Sequence, residues 1–183
     1  LPKAQKAAAI RQLRSKDADL ARGWVERHAA TAPADVRAAL VEALEVGLSL
    51  TDAPLLERLA KEDRAASVRE AALEHLSGTR GTEAYEAKLA NAITVIDAGK
   101  TLLGRRTVKL NAAELNKLLE LPANAPTGTR ALAATEKLHR MFKHLAFSDV
   151  ARALSMAPAD LAGALAADDG LAAPLAVAGL TEG

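Results

Sequence analysis

Along the first hundred positions, apolar residues recur at three- and four-residue spacing with charged residues between them, the period of amphipathic helices. Six helices are predicted. The first carries Ala7, Ile10 and Leu13, and the second Leu20, Ala21, Trp24, Val25 and His28. Thr31-Ala-Pro33 interrupts them, and Pro33 suits the first turn of a third helix carrying Val36, Leu40, Val41, Leu44 and Leu48. Asp52 reads as the N-cap of a fourth helix, with Pro54 just inside it and Leu55, Leu56 and Leu59 on its apolar face. Ser67-Val-Arg-Glu70 has the form of a capping box for a fifth helix that buries Val68, Ala72, Leu73 and Leu76 and stops at Gly78. The sixth carries Tyr85, Leu89, Ala92, Ile93 and Ile96.

Two of these helices are copies. Val36-Arg-Ala-Ala-Leu-Val-Glu-Ala-Leu44 aligns with Val68-Arg-Glu-Ala-Ala-Leu-Glu-His-Leu76, 32 residues further on. A fainter copy places Ile10 and Leu13 on Val41 and Leu44, at an offset of 31 residues. A helical hairpin of that length cannot cover its own apolar face, so a neighbouring hairpin must, which is the logic of an α-solenoid.

The pattern changes after Ile96. Asp97 to Lys109 holds Gly99, Gly104 and a basic cluster of Lys100, Arg105, Arg106 and Lys109, and Arg106–Leu110 is the only segment that reads as a short strand. Asn111-Ala-Ala-Glu114 predicts another capping box, opening a helix with Leu115, Leu118 and Leu119. Pro122 to Gly128 reads as a linker. A longer helix with Leu132, Leu138, Met141, Phe142 and Leu145 follows, then short helices containing Val150 and Leu154, and, from Pro158, Leu161 and Leu165. The predicted fold is all-α: about three HEAT-like hairpins over residues 1–97, an irregular basic segment with one helix and a linker over 98–126, and a C-terminal helical bundle over 127–183.

Composition sharpens this picture. Half of the 183 residues are hydrophobic, yet only 2% are aromatic, so the core is built from Ala and Leu and requires close helix approach. Twenty-four basic against 23 acidic residues give a net charge of +1, which supplies no global electrostatic argument for a nucleic-acid or membrane partner. The chain has no cysteine, which excludes disulfides and thiolate sites and suits a reducing cytosol. The longest apolar stretch, Leu161 to Leu180, is broken by Asp168, Asp169, Gly170 and Pro174 and does not read as a membrane span. A cytoplasmic location is the expectation.

Candidate chemistry is sparse. Gly99-Lys100-Thr101 resembles the end of a phosphate-binding loop, but position 94 is Thr and not the Gly the motif requires. Glu136 and His139 have a spacing used in carboxylate-bridged metal sites, without the second Glu-His pair that such sites need; a surface pairing of Glu136 with Arg140 is favoured. The histidines His28, His75, His139 and His144 form no zinc pattern, and Ser49 lacks a nucleophile-elbow context. No catalytic residue, cofactor or metal is predicted. Arg37 and Arg69 occupy equivalent repeat positions; each is expected to bond a loop carbonyl or an aspartate such as Asp63, in preference to forming a ladder of cations on a concave face. The basic cluster is the one candidate binding feature, and with so few aromatics it offers little base stacking.

Between Val41 and Leu76 the chain resembles the DUF5691 family, bacterial proteins of uncharacterised function. The matching positions are Gly47, Leu48, Ser49, Leu50, Asp52, Pro54, Leu56, Glu57, Asp63, Arg64, Val68, Arg69, Ala71, Ala72 and Leu76. The resemblance implies helical repeats and no particular reaction. Family members are longer, which implies an N-terminal piece of a larger protein. The expected function is a non-catalytic scaffold or adaptor for protein–protein interaction. The alternative is a nucleic-acid-binding module using Lys100, Arg105, Arg106 and Lys109.

Overall fold

Two short loops decide where the first helices turn. Asp17 accepts a hydrogen bond from the Leu20 amide (2.8 Å) and caps the helix that follows; Pro33 holds φ at −56° immediately before the next. In the computed structural model, which describes residues 2–119, 121–122 and 124–167, these signals produce α1 (Lys3–Arg14), α2 (Ala18–Ala29) and α3 (Ala34–Glu42). The acidic, apolar stretch beyond Ala167 lies outside the described residues. Next come 3-10 turns at Ala43–Glu45 and Leu50–Asp52, then α4 (Ala53–Glu62) and α5 (Ala66–Gly78). These elements belong to one compact unit, Leu1–Tyr85; α6 (Glu83–Ile93) begins in it and continues into the second, Glu86–Gly183.

Within the first unit α3 packs on α1 and on α5, α2 packs on α1 and α3, and α4 packs on α5. The shared core contains Ile10, Val25, Leu40, Val41, Leu44, Leu55, Leu56, Leu59, Val68 and Leu76. The sequence copies meet here: Leu44 and Leu76 are both buried, as are Leu40 and its counterpart Ala72. His75 of α5 donates through Nε2 to the Val41 carbonyl oxygen of α3 (2.8 Å).

Several expectations are corrected. The third helix stops at Glu42 and not at Leu48, because the chain tightens to 3-10 and reverses through Gly47 at φ +64°. Leu20 and Leu73 are 53% and 49% exposed, not core residues. Residues 67–70 form no capping box: α5 starts at Ala66, so Ser67 is already inside the helix, and the N-cap Ala65 contributes no side-chain bond.

The second unit continues with β1 (Ile96–Lys100), β2 (Arg106–Leu110), α7 (Ala112–Leu118), α8 (Thr127–Phe142), α9 (Phe147–Ala153) and α10 (Pro158–Leu165). Asn111 caps α7, accepting from the Glu114 amide (3.0 Å), but the expected capping box is only half formed, because the Asn111 amide donates to the Val95 carbonyl oxygen (2.8 Å) and not to Glu114. His144 (φ 66°) and Ser155 (φ 55°) take the left-handed conformation just after α8 and α9. Leu138, Met141 and Phe142 of α8 are buried, but Leu132 is 64% exposed, a further departure from the predicted stripe. The fold is mostly helical and not all-α. β1 and β2 pair antiparallel, and α10 packs on β2 and on α9.

Candidate functional site

The basic cluster lies on the β1–β2 hairpin. Alternation along β2 puts Arg106, Val108 and Leu110 on one face; Val108 is only 2% exposed, so this face looks inward. The register is Ile96 opposite Leu110, Asp97 opposite Lys109, Ala98 opposite Val108, and Lys100 opposite Arg106. The loop between the strands is closed by three bonds. The Thr101 amide donates to the Arg105 carbonyl oxygen (2.8 Å), the Gly104 amide to the Thr101 carbonyl oxygen (2.9 Å), and the Arg105 amide to Thr101 Oγ1 (3.1 Å). Gly104 sits at φ +80°, the left-handed position that a short hairpin loop assigns to glycine.

This geometry brings Lys100, Arg105 and Arg106 together at the tip. Lys109 is separated from them: it stands three residues along β2 from Arg106, about 10 Å at strand rise, and is paired across the ladder with Asp97. Arg106 donates to the Ser155 carbonyl oxygen (3.2 Å). Between the cations, at the turn itself, Leu102 and Leu103 are 108% and 97% exposed. Sequence reading missed these two leucines as a site, because an isolated Leu-Leu in a Gly-flanked segment has no period to mark its direction. Gly99 and Lys100 are in extended β1 and Thr101 opens the turn, so the phosphate-loop resemblance has no helix N-terminus behind it.

Further candidates resolve differently. Among the described residues no group of three or more His, Cys, Asp or Glu is placed to hold a metal ion. Glu136, His139 and Arg140 line a shallow surface depression with Thr135; His139 Nδ1 is buried without a hydrogen-bond partner, and no Glu136–Arg140 ion pair forms among the described residues. In the first unit an apolar groove is lined by Lys6, Ala9, Ile10, Leu13, Trp24 and His28. The rings of Trp24 and His28 stack with centroids 3.5 Å apart, and His28 Nδ1 donates to the Trp24 carbonyl oxygen (2.9 Å).

The strongest electrostatics in the first unit are buried ion pairs. Arg14, 4% exposed at the end of α1, uses every guanidinium N–H. Nε donates to the Val46 carbonyl oxygen (2.8 Å), Nη1 to Asp52 Oδ1 (2.8 Å) and the Ala18 carbonyl oxygen (3.4 Å), and Nη2 to the Gly47 carbonyl oxygen (2.9 Å) and Asp52 Oδ2 (2.8 Å). Asp52 also accepts from Arg22 Nη1 (3.3 Å) and from the Ser49 amide (3.1 Å). Asp52 stands at the N-cap position of α4 as expected, but its side chain makes no cap bond: the carboxylate faces Arg14 and not the α4 amides. Burial alone would raise the Asp52 pKa, but the bonds from Arg14 and Ser49 and the guanidinium charge reverse this and hold it below the ordinary carboxylate value.

Arg37 makes a second bidentate pair, Nε to Asp63 Oδ2 (3.0 Å) and Nη2 to Asp63 Oδ1 (2.7 Å), and its Nη1 donates to the Ala32 carbonyl oxygen (2.7 Å). Arg69, its repeat equivalent, donates to the Asp63 carbonyl oxygen (2.8 Å). Each arginine thus ties down the loop entering its own helix, as expected. The bonds from Arg37 lower the Asp63 pKa; burial opposes them, and the Ala65 amide adds to the lowering.

The carboxylates of these pairs, Asp52 and Asp63, fall in the stretch that carries the family resemblance, and a family model matches residues 2–181. The chain belongs to the DUF5691 family, a family of unknown function. No curated protein and no solved structure matches it. The structure gives physical content to the segment through which the DUF5691 resemblance was first visible. Gly47 supplies a left-handed turn and a carbonyl oxygen for Arg14, Asp52 receives that same guanidinium, Pro54 starts α4, and Asp63 anchors Arg37 and Arg69.

Proposed function

We propose that this DUF5691 chain is a non-catalytic helical-repeat scaffold that acts by holding a protein partner. The observation that carries the proposal is the packing of α1, α3 and α5 as successive neighbours whose sequences align at offsets of 31 and 32 residues. Successive packing at a fixed offset suits a HEAT-like stack, in which identical layers expose long surfaces without any enclosed chamber. The paired roles of Arg37 and Arg69 support the same reading, since equivalent positions do equivalent work in each layer.

The apolar groove on α1 and α2 suits a partner's apolar side chains, and Trp24, the only tryptophan in the chain, lies in it. Ala9 is exposed on the same wall, so Ala9→Arg introduces a charge and bulk there without disturbing the core. The test is affinity purification from the native cell with wild-type and Ala9→Arg baits, followed by titration of the recovered partner against Trp24 emission. A stoichiometric protein partner held by wild type, lost by Ala9→Arg and shifting Trp24 emission supports the scaffold. Recovery of no partner, or equal recovery by both baits, contradicts it. The buried carboxylates of the first unit fit this assignment: Asp52 and Asp63 are held by arginines and amides, an arrangement that serves structure.

A further inference from the structure

The hairpin tip combines two features that a solvated loop has no reason to combine. Leu102 and Leu103 occupy the central positions of a turn, where Asn, Asp, Gly and Pro are the residues with a conformational reason to be found. Both are wholly exposed, and the three bonds around Thr101 together with Gly104 at φ +80° hold the turn that presents them. Around them the charge is of one sign. Lys100 is directly opposite Arg106 in the ladder, a like-charge placement that destabilises a hairpin when nothing lies between the cations. Arg105 adjoins both, and no Asp or Glu occurs from Ala98 to Ala113. The chain's net charge of +1 conceals this local asymmetry.

We propose that this tip docks the protein peripherally on an anionic lipid surface. Leu102 and Leu103 enter the boundary between headgroups and acyl chains, while Lys100 and Arg105, with Arg106 behind them, meet lipid phosphates. The occupant follows from the chemistry. A nucleic-acid backbone would neutralise the cations and leave two leucines in water. A bilayer interface satisfies both, since it offers negative charge at its surface and apolar depth just beneath, with no shaped pocket required of it. No helix among the described residues is long and apolar enough to cross a membrane. Attraction acts only when the tip is close, because the screening length at physiological ionic strength is about 8 Å. This inference does not rest on the scaffold proposal, which concerns a surface of the other unit.

The experiment is cosedimentation of the full chain with two kinds of vesicle, phosphatidylcholine alone and phosphatidylcholine with phosphatidylglycerol, at low and at physiological salt. Wild type is expected to bind the phosphatidylglycerol vesicles and not the neutral ones. Two apolar side chains and two surface cations each contribute enough that Leu102→Ser/Leu103→Ser and Lys100→Gln/Arg105→Gln should each weaken binding by about tenfold or more. All four side chains point into solvent, so both variants should keep the wild-type circular dichroism. A Leu102→Trp variant provides a direct reading, with its emission shifting to the blue on phosphatidylglycerol vesicles. The proposal is overturned by no binding to phosphatidylglycerol vesicles at low salt, or by binding that ignores the leucine substitutions. It is equally overturned if Lys100→Gln/Arg105→Gln abolishes binding to duplex DNA while vesicles are left unbound, which would assign the cations to nucleic acid.

Discussion

Arg14 shows how far a single residue's role can lie from its sequence position. It stands in the last turn of an amphipathic helix, beside Arg11, where a cation is favoured by the helix C-terminus alone. Its carboxylate partner, Asp52, is 38 residues away, and both side chains are fully buried. No local pattern reports such a pairing: Asp52 is at the N-cap position of α4, and only the fold turns its carboxylate to Arg14. The Arg37–Asp63 pair was partly legible because the repeat marked Arg37 and Arg69 as equivalent, and equivalent arginines next to loops bond loops. Removing one member of a buried pair strands the other. Arg14→Met should therefore cost about 3–5 kcal/mol in urea unfolding, and Arg14→Met/Asp52→Leu should recover part of that loss. If the double variant is no more stable than the single one, Asp52 was not the group left uncompensated.

The two carboxylates also set a pH dependence. Asp52 and Asp63 have folded-state pKa values below the ordinary value of about 3.9, so the unfolded chain binds their protons more readily. Their stabilisation is complete above that ordinary value and is lost as pH falls through the folded values. Urea midpoints measured from neutral to acid pH should hold level to about pH 4 with respect to these groups and then fall. Asp63→Asn should start lower and fall less steeply. An Asp63→Asn profile parallel to wild type throughout would place the acid sensitivity elsewhere.

Elements were legible where their signals are local. α4, α7 and α10 begin where Pro54, Asn111 and Pro158 indicate, and the strand read at Arg106–Leu110 is β2. β1 was not legible. In Ile-Asp-Ala-Gly-Lys every residue but Ile96 is of a type depleted in strands, Asp and Gly most of all, and the segment is extended because β2 supplies a ladder, with the Asn111 amide extending the pairing to the Val95 carbonyl oxygen (2.8 Å). The exposed Leu20, Leu73 and Leu132 mark another limit: a stripe at helical period shows which face is apolar, but how much of it is covered depends on the neighbour. Asn111 joins two elements, since it caps α7 and donates through Nδ2 to Asp97 Oδ1 (3.0 Å). Asn111→Ala should lower stability by about 1 kcal/mol, the usual cost of a lost cap. Thermal melts that do not change would show that the α7 terminus is satisfied by water.

At the scale of the molecule, the repeat visible in sequence corresponds to the packing of α1, α3 and α5, and the proposed stack makes a prediction that ordinary globular packing does not. In a stack, each layer is stabilised by its immediate neighbours, so damage fades with distance along the row. Val68 lies fully buried in α5, the last of the three helices, and Val68→Ala removes buried methyl groups at a cost of about 2 kcal/mol. Amide hydrogen exchange in wild type and Val68→Ala, read helix by helix, tests the stack most directly. Exchange should accelerate most in α4 and α5, less in α3 and least in α1, with α8 to α10 unchanged. Equal acceleration through α1, α3 and α5, or acceleration confined to α5, would contradict it.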